Sequence, residues 1–220
     1  MGYVNWNKKE CEDFARVAEQ VKRYIYIPWA EEIHKVLINK KQSPVILDVG
    51  SGPGDLSILL ADKLPLAEFI LTDEAIGMEK IAQAKIKSYS QMSFTRCSAT
   101  NLNVDNESID VVICKHLLTH IDNSERIFPE IFRVLKHHGM VFIIDFNSSA
   151  SLLKALLLFF LISIKMGIVR SRKFWIGYRK GIPSQKIRTI LIDNGFKNIT
   201  QLTRGVNYLT YGEKGVITMV

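Results

Sequence analysis

The sequence predicts one α/β domain over residues 1–220, with a seven-stranded, mostly parallel sheet and helices on both of its faces. Two observations carry this prediction. Apolar, β-prone runs alternate along the chain with segments whose apolar residues recur at intervals of three and four. Most of these runs are continuously apolar, as in parallel strands buried on both faces. A composition of 47% hydrophobic and 23% charged residues is that of an ordinary globular protein and excludes wholesale disorder.

The N-terminal region is predicted to be helical before the first strand begins. Its segment "IPWAEEIHKVLI" places Trp29, Ile33 and Leu37 at intervals of four, on one helical face. The chain divides into four parts: N-terminal helices at 1–41, a core at 42–146, an insertion at 147–181, and a C-terminal helix with a hairpin at 182–220.

Strands and helices alternate through the core. The helical pattern that precedes the last core strand contains Pro129, which is expected to kink or break that helix. The predicted strands lie at 45–49, 69–72, 92–95, 110–114 and 140–145, with helical segments at 55–64, 77–90 and 124–136.

The C-terminal part departs from this alternation. A helix at 183–194 is expected to end at Gly195 as its C-cap. Two further strands, "NITQLT" and "GVITMV", then follow and are predicted to pair as an antiparallel hairpin.

The stretch "VILDVGSGPGDLS" joins the first strand to the first core helix. Gly50, Gly52 and Gly54 stand at alternate positions after Asp48, so that the backbone of the turn can approach a ligand closely. A helix N-terminus follows and favours acceptor groups. The dinucleotide-binding pattern requires glycine at the sixth place, where this chain has Asp55, a carboxylate that would repel a pyrophosphate.

Asp73 ends the second predicted strand, where it can accept hydrogen bonds from ribose hydroxyls. Together with Asp-x-Gly-x-Gly-x-Gly, this acid resembles the pattern of the class I S-adenosylmethionine-dependent methyltransferases. The resemblance continues in "CSATNL", "SIDVVICKHLLTHI", "FRVLKHHGMVFIID" and "LIDNGFKNI", which follow in the order of that family. It covers residues 42–146 and, more loosely, 183–220, and is nearest to the small-molecule methyltransferases of ubiquinone and menaquinone biosynthesis.

The resemblance implies a Rossmann-like fold that binds S-adenosylmethionine and releases S-adenosylhomocysteine. In that family the glycine turn lies against the methionine end of the cofactor, the acid after the second strand holds the ribose, and the loop after the third strand borders adenine. The implied cofactor-binding residues are Asp48, Gly50, Ser51, Gly52, Gly54, Asp73, Glu74, Ser98, Ala99 and Lys115. Ser98 stands where the family usually has Asp, and its hydroxyl is a weaker acceptor for the adenine amino group.

His116 and His120 follow the fourth strand and are the candidate catalytic residues. Four residues apart, they share one face if the segment is helical. Packing within the fold, a metal site and a general base facing the substrate are the alternatives for this pair. A metal site lacks an obvious third ligand, and no metal is predicted.

The residues after strand four also bear on substrate class. "CKHL" differs from the Asn/Asp-Pro-Pro-aromatic motif of methyltransferases that act on exocyclic base nitrogens, and Cys114 lacks the proline of cytosine-5 enzymes. A small-molecule acceptor is therefore favoured. A methyltransferase acting on RNA or protein and a non-catalytic S-adenosylmethionine-binding module remain alternatives, whereas the paired acids of aminopropyl transferases are absent.

The insertion carries the basic charge of the chain. Residues 146–191 contain nine Lys or Arg and no Asp or Glu, and because the whole chain is +7, the rest is close to −2. The uncharged stretch 155–164 is too short for a membrane span, which needs roughly 20 residues.

Three interpretations of the segment 151–181 stay open. The first is a buried lid over an apolar pocket, and the second is a peripheral membrane contact through 152–173. The third is a contact with a partner or a second copy. An apolar lid with a basic rim suits a lipophilic acceptor with an acidic or phenolic head, such as a quinone precursor or lipid. Nucleic acid is disfavoured, because its binding surfaces rarely place "ALLLFFLISI" beside their cations.

The three cysteines, Cys11, Cys97 and Cys114, are scattered and form no CxxC. This predicts neither a disulfide framework nor a zinc site, and it favours a reducing cytoplasmic setting. No secretory signal is apparent at the N-terminus.

Overall fold

The computed structural model describes residues 6–40 and 42–215. In these ranges the chain forms seven strands and eight α-helices in the predicted order. The strands are β1 (Val45–Val49), β2 (Glu68–Asp73), β3 (Met92–Arg96), β4 (Ile109–Lys115), β5 (Leu135–Phe146), β6 (Phe196–Arg204) and β7 (Asn207–Lys214). The helices are α1 (Lys8–Val21), α2 (Tyr26–Leu37), α3 (Asp55–Ala61), α4 (Ile76–Ile86), α5 (Ile127–Val134), α6 (Leu152–Met166), α7 (Ile168–Lys180) and α8 (Ser184–Asp193).

One sheet runs through the molecule in the order β3-β2-β1-β4-β5-β7-β6. Strands β1 to β5 are parallel, and β7 pairs antiparallel with both β5 and β6. The strand order reverses between β1 and β4, which opens a crevice at their carboxyl ends. The predicted fold class is confirmed.

Two apolar layers cover the faces of the sheet. One layer holds Trp29, Ile33 and Leu37 of α2, as predicted, with side chains of α3 and α4. The other holds side chains of α5 and α8. At about 25 cal/mol per Å² of apolar surface removed from water, these two layers are the main favourable term in folding.

Several helix limits follow from local chemistry. Helix α1 begins with a capping box, in which the Asn7 side chain accepts from Glu10 N–H and the Glu10 carboxylate accepts from Asn7 N–H. The segment around Pro129 is split, as expected: a 3-10 turn at Ser124–Arg126 precedes α5, and Pro129 lies in the first turn of α5. Gly195, with φ of +86°, follows α8.

The predicted C-terminal hairpin is present, but its second strand is assigned differently. Strand β7 is "NYLTYGEK", joined to β6 through Gly205, and Gly212 lies within β7. Apart from Gly215, the predicted strand "GVITMV" lies outside the described residues. Pairing with β5 on one side and β6 on the other buries the polar-looking β7 at the centre of this part of the sheet.

The insertion forms a helical hairpin, α6 and α7, that turns at Gly167. Ala155 is the one residue of α6 that is fully buried, so the interpretation of α6 as a buried lid helix is not met. The hairpin has a small apolar cluster of its own, formed by Ala155, Tyr178 and Val206 with Phe146 and Phe174 packed against it. Over the described ranges, no helix combines the length and the apolar character that crossing a membrane requires.

Candidate functional site

The glycine turn lies at the carboxyl end of β1, beside the crevice. Gly50, Gly52 and Gly54 have φ values of +68°, +55° and +80°, which L-residues with side chains rarely adopt. A Cβ on Gly50 would stand 2.6 Å from a Leu117 methyl carbon, and one on Gly54 would stand 2.7 Å from a Leu71 methyl carbon. Both glycines are therefore required by backbone conformation and by packing.

Asp48 supports the turn from beneath. Its side chain is buried and accepts a hydrogen bond of 2.6 Å from the Ser57 hydroxyl, which ties β1 to α3. Burial raises the pKa of Asp48 to about 6, against the opposing effects of Ser57 and of the Lys115 charge.

Asp55, at the first position of α3, is also buried, and its carboxylate lies 2.7 Å from Lys85 Nζ. The ion pair assigns Asp55 a role in anchoring α3 to α4.

Asp73 lies at the end of β2 and is hydrogen-bonded to the turn. Its carboxylate accepts from Gly52 N–H at 3.0 Å and from Ala75 N–H at 2.9 Å. Burial raises the pKa of Asp73, while these backbone donors oppose the rise. Beside it, Glu74 Oε2 is buried without a hydrogen-bond partner within the described chain. The Ser51 hydroxyl is in the same situation, so polar atoms at the ends of β1 and β2 remain available to a ligand.

The loop after β3 forms a small isolated bridge between Ser98 and Asn101. Ala99 is buried in it, and the Ser98 hydroxyl shares a hydrogen bond of 3.2 Å with the Thr100 hydroxyl. Because β3 pairs with β2 as far as Arg96 and Asp73, Ser98 and Ala99 follow close to the end of β2, and the Ser98 hydroxyl already has a partner in the loop.

At the end of β4 the chain bends instead of continuing into an α-helix. Lys115 places its ammonium 3.9 Å from the centre of the Tyr26 ring, a cation–π contact. His116 adopts a left-handed φ of +52°, and its N–H donates to the Ile144 carbonyl at 2.7 Å. His120 ends a 3-10 turn at Leu118–His120, so the α-helix on which His116 and His120 would share a face is not formed.

His116 is the most unusual residue at this edge. Its imidazole packs edge-on against Phe146 with the ring centres 4.6 Å apart, and Nδ1 is 3.8 Å from the Asp145 carboxylate. Nε2 is buried and has no hydrogen-bond partner in the described part of the chain. A left-handed backbone and an unpartnered nitrogen are the kind of strain and unmet bonding that functional sites retain.

Burial disfavours the charged form of His116. Burial, with smaller effects from Lys115 and His120, lowers the pKa of His116 well below its ordinary value. The pKa of His120 is also lowered, chiefly by burial. Burial raises the pKa of Asp145 to about 7, although Phe146 N–H and Leu118 N–H donate to its carboxylate at 2.7 and 3.1 Å.

Helix α1 lies over the turn. Phe14 contacts the position of a Cβ on Gly52 at 3.6 Å, and Cys11 packs against Gly77. Trp6 makes edge contacts with Phe14 and with His120, with ring centres 5.3 and 5.5 Å apart. The N-terminal region thus forms the outer wall of the site.

Two surface cavities, of about 330 and 140 Å³, lie at the opposite edge of the sheet from the glycine turn, at the amino ends of the strands. They contain none of the predicted site residues. In residues 6–40 and 42–215, no group of three or more His, Cys, Asp or Glu is arranged to hold a metal ion.

Comparisons with known proteins agree with this geometry. A methyltransferase domain family matches residues 46–139, from β1 through the start of β5. Residues 46–139 are thus similar to a methyltransferase domain. A solved structure of a SAM-dependent methyltransferase from Aquifex aeolicus superimposes on this domain with a TM-score of 0.72 at 14% identity, covering 95% of this chain and 99% of that one.

Two curated relatives of the methyltransferase domain are demethylmenaquinone methyltransferases. The protein from Bacteroides fragilis is 27% identical over 106 residues, which is 47% of this chain and 43% of the relative. The protein from Leptospira interrogans is 27% identical over 146 residues, which is 61% of this chain and 59% of the relative. The chain spans about half the length of the curated relatives that it matches.

S-adenosylmethionine is the cofactor that the domain family implies, and the site suits it. The left-handed turn offers backbone free of side chains, while Ser51 and Glu74 present buried polar atoms that lack partners within the described ranges. Phe14 lies against Gly52, so its ring borders the position at which the family resemblance places the cofactor.

Four residues of the site are not among those that the sequence predicts, namely Trp6, Phe14, Asp145 and Phe146. Asp145 carried a usable signal, since it is an acid near the end of an apolar parallel strand, as Asp48 and Asp73 are. The aromatic residues carried none, because their contacts with the site depend on how α1 and α7 pack.

Proposed function

We propose that this protein transfers a methyl group from S-adenosylmethionine to a small, lipophilic acceptor of quinone-like or lipid-like character. The observation that carries the proposal is one juxtaposition at the switch point of the sheet. The glycine turn with Asp73 stands on one side, and His116 with an unpartnered Nε2, within the described chain, stands on the other.

The residues proposed to hold the cofactor divide among three strand ends. Gly50, Ser51 and Gly52 lie against its amino-acid portion, with Asp48 supporting the turn from below. Asp73 keeps acceptor capacity on both carboxylate oxygens for the ribose hydroxyls, because each oxygen receives one backbone donor and offers two acceptor sites. Ala99 borders the adenine, as the family resemblance implies.

Bound S-adenosylmethionine supplies an electrophilic methyl group on a sulfonium that leaves as neutral S-adenosylhomocysteine. The chain's task is to align the acceptor about 3 Å from that methyl carbon. Nε2 of His116, which has no hydrogen-bond partner within the described chain, would accept the proton that the acceptor loses on methylation. His120, against Trp6, shapes the entrance.

The acceptor class follows from the wall around His116. Phe146 packs on its ring, Phe174 packs on Phe146 with ring centres 5.8 Å apart, and the α6–α7 hairpin leads away from this contact. An aromatic wall favours the binding of apolar ring systems. The curated relatives named above, demethylmenaquinone methyltransferases, support an acceptor of quinol type.

Calorimetry and a transfer assay test the proposal together. We expect the protein to bind S-adenosylmethionine, and Asp73→Ala to weaken that binding at least tenfold through lost ribose hydrogen bonds. Asp193→Ala, an exposed acid on α8, is the matched control and leaves binding unchanged. Absence of binding by the unmodified protein overturns the proposal.

Labelled S-adenosylmethionine and a short-chain demethylated naphthoquinol test the acceptor class. Transfer of label to the quinol supports the proposal, and transfer to RNA or protein in parallel reactions, with none to the quinol, assigns the alternative substrates. Cofactor binding with no transfer to any of the three indicates a non-catalytic binding module.

The cytoplasmic location stays a prediction. It is supported by Cys11, Cys97 and Cys114, which are all free thiols in the structure.

A further inference from the structure

The outer face of α6 carries a continuous row of exposed apolar side chains. Their spacing of three and four residues places them on one face, and the residues at its two ends, Leu153 and Ile164, are 77% and 83% exposed. We call this row the apolar ridge; it consists of Leu153, Leu157, Phe160, Leu161 and Ile164.

The ridge is not the packing face of its helix. The opposite side of α6 faces α7, where the Ser163 hydroxyl donates to the buried Ser171 hydroxyl at 2.8 Å and Phe159 packs on Trp175 with ring centres 5.9 Å apart. Because α6 already has this packed side, the ridge is additional apolar surface. Exposed apolar surface of this extent marks a binding surface.

Both helices of the hairpin also carry exposed cations. Lys154 and Lys165 stand at the two ends of α6, and Arg172 and Lys173 are exposed on α7. Over residues 146–191 there is no acid to neutralise them. Ile168 and Val169 extend the apolar surface past the tip of the hairpin, and both are exposed.

We propose that the apolar ridge and its flanking cations dock the protein on an anionic phospholipid surface, with α6 lying in the interface. A helix of 15 residues is about 22 Å long, shorter than the roughly 30 Å of hydrocarbon that a spanning helix crosses. Leucine, isoleucine and phenylalanine enter the boundary of the acyl chains, while the long lysine and arginine side chains reach the phosphates.

Charge decides against a second copy of this chain as the occupant. A two-fold dimer across the ridge would place the acid-free cationic segments of the two copies against each other, and their like charges would repel. An anionic surface would instead attract the same cations. An RNA partner would leave the ridge exposed to water, since phosphates pair with the cations alone.

The hairpin also reaches the proposed site. Gly177 and Gly181 pack closely on Phe146, the neighbour of His116, and Arg170 is hydrogen-bonded to Gln20 of α1. A protein docked through the ridge holds its active-site edge near the lipid surface. The docking itself requires no methyl transfer and stands or falls separately from the proposed reaction.

Vesicle co-sedimentation of the full chain tests the proposal. The probes are vesicles of phosphatidylcholine alone and of phosphatidylcholine with phosphatidylglycerol in equal parts. We expect binding to the mixed vesicles, weakened by salt, and much weaker binding to the neutral ones. No binding to the mixed vesicles, or equal binding to both, overturns the proposal.

Two double variants locate the surface. Arg172→Gln with Lys173→Gln is expected to weaken binding to the mixed vesicles about thirtyfold, since each cation near an anionic surface contributes a factor of about five. Its control, Lys80→Gln with Lys87→Gln, removes two exposed cations from the α4 region and weakens binding far less. Equal losses for the two double variants overturn the assignment to α6–α7, because they indicate attraction by net charge alone.

Leu157→Ser with Phe160→Ser tests the ridge, and Ile192→Ser, exposed on α8, is its control. We expect the ridge variant to lose at least tenfold in vesicle binding, while S-adenosylmethionine binding reports that the fold is intact. If the ridge variant retains full vesicle binding, the proposal is wrong. A lipid-independent dimer that the same variant dissociates assigns the ridge to a second copy, and tight RNA binding without vesicle binding assigns the cations to RNA.

Discussion

The cofactor-binding core and the α6–α7 hairpin are adjacent in the chain, but the core buries its apolar side chains and the hairpin exposes many of its own. In the core, strand residues such as Leu47 and Val112 are completely buried between two layers of helices. In the hairpin, Leu153 and Ile164 face outward. Apolar side chains thus stabilise the fold in the core, whereas in the hairpin, by our proposal, they bind a lipid surface.

The sharpest way to separate the two regions is a pair of glycine substitutions. Gly54→Ala forces a side chain into a left-handed position 2.7 Å from a Leu71 methyl carbon, and we expect it to lower the free energy of unfolding by about 3 kcal/mol. Gly167→Ala also strains the backbone, but a Cβ there meets no atom within 4 Å in the described residues, so about 1 kcal/mol is expected. Urea unfolding measures both, and equal losses would remove the distinction between packed and open turns.

A second prediction concerns chemistry in the core. His116→Asn is expected to lower turnover about 100-fold, the loss typical for a proton acceptor, while cofactor affinity changes little. Asparagine tolerates the left-handed backbone of residue 116, so the fold is kept. His137→Gln, exposed at the other edge of the sheet, is the control for steady-state kinetics and calorimetry. An unchanged turnover in His116→Asn assigns His116 to packing.

The third prediction is a pH dependence of stability that comes from the core. The pKa of Asp145 is raised to about 7 from 3.8, so between these values the folded protein holds a proton that the unfolded chain has lost. Stability therefore falls as pH rises from 5 to 7, by about 2 kcal/mol from this residue, and then levels off. Asp145→Asn should flatten that part of the curve of unfolding free energy against pH. A slope identical to that of the unmodified protein contradicts the prediction.

The smallest effect is expected in the hairpin. Leu157→Ser should change the free energy of unfolding by no more than about 0.5 kcal/mol, because the side chain is already exposed in the folded state. Leu47→Ser, in the buried core, is the comparison and should lose several kcal/mol in the same urea titration. A large loss for Leu157→Ser would show that the ridge is packed in solution.

The sequence predicts the core well because its signals are local. The bounds of β1 agree with the apolar run 45–49, and the left-handed glycines stand where a turn at a strand end requires them. Asp73 is predicted because it ends the second strand in a sequence that also has the glycine turn, and in the structure its carboxylate accepts from the N–H groups of Gly52 and Ala75.

The remaining features depend on tertiary packing. Strand β7 reads as polar and contains Gly212, yet its position between β5 and β6 buries it. Helix α6 is apolar around most of its circumference, so periodicity cannot tell which side meets α7. The left-handed backbone at His116 lies at the end of the pairing between β4 and β5, where its N–H donates to Ile144 on another strand.

The position of Phe14 over Gly52 has a kinetic consequence. Because that ring lies beside the turn, we expect S-adenosylmethionine to enter the proposed site, and S-adenosylhomocysteine to leave it, by a movement of α1. In a stopped-flow experiment the observed rate of association should therefore reach a plateau as cofactor concentration increases, with the opening of α1 setting its height. The movement of α1, a helix of fourteen residues, would then limit the rate of turnover at a step separate from methyl transfer.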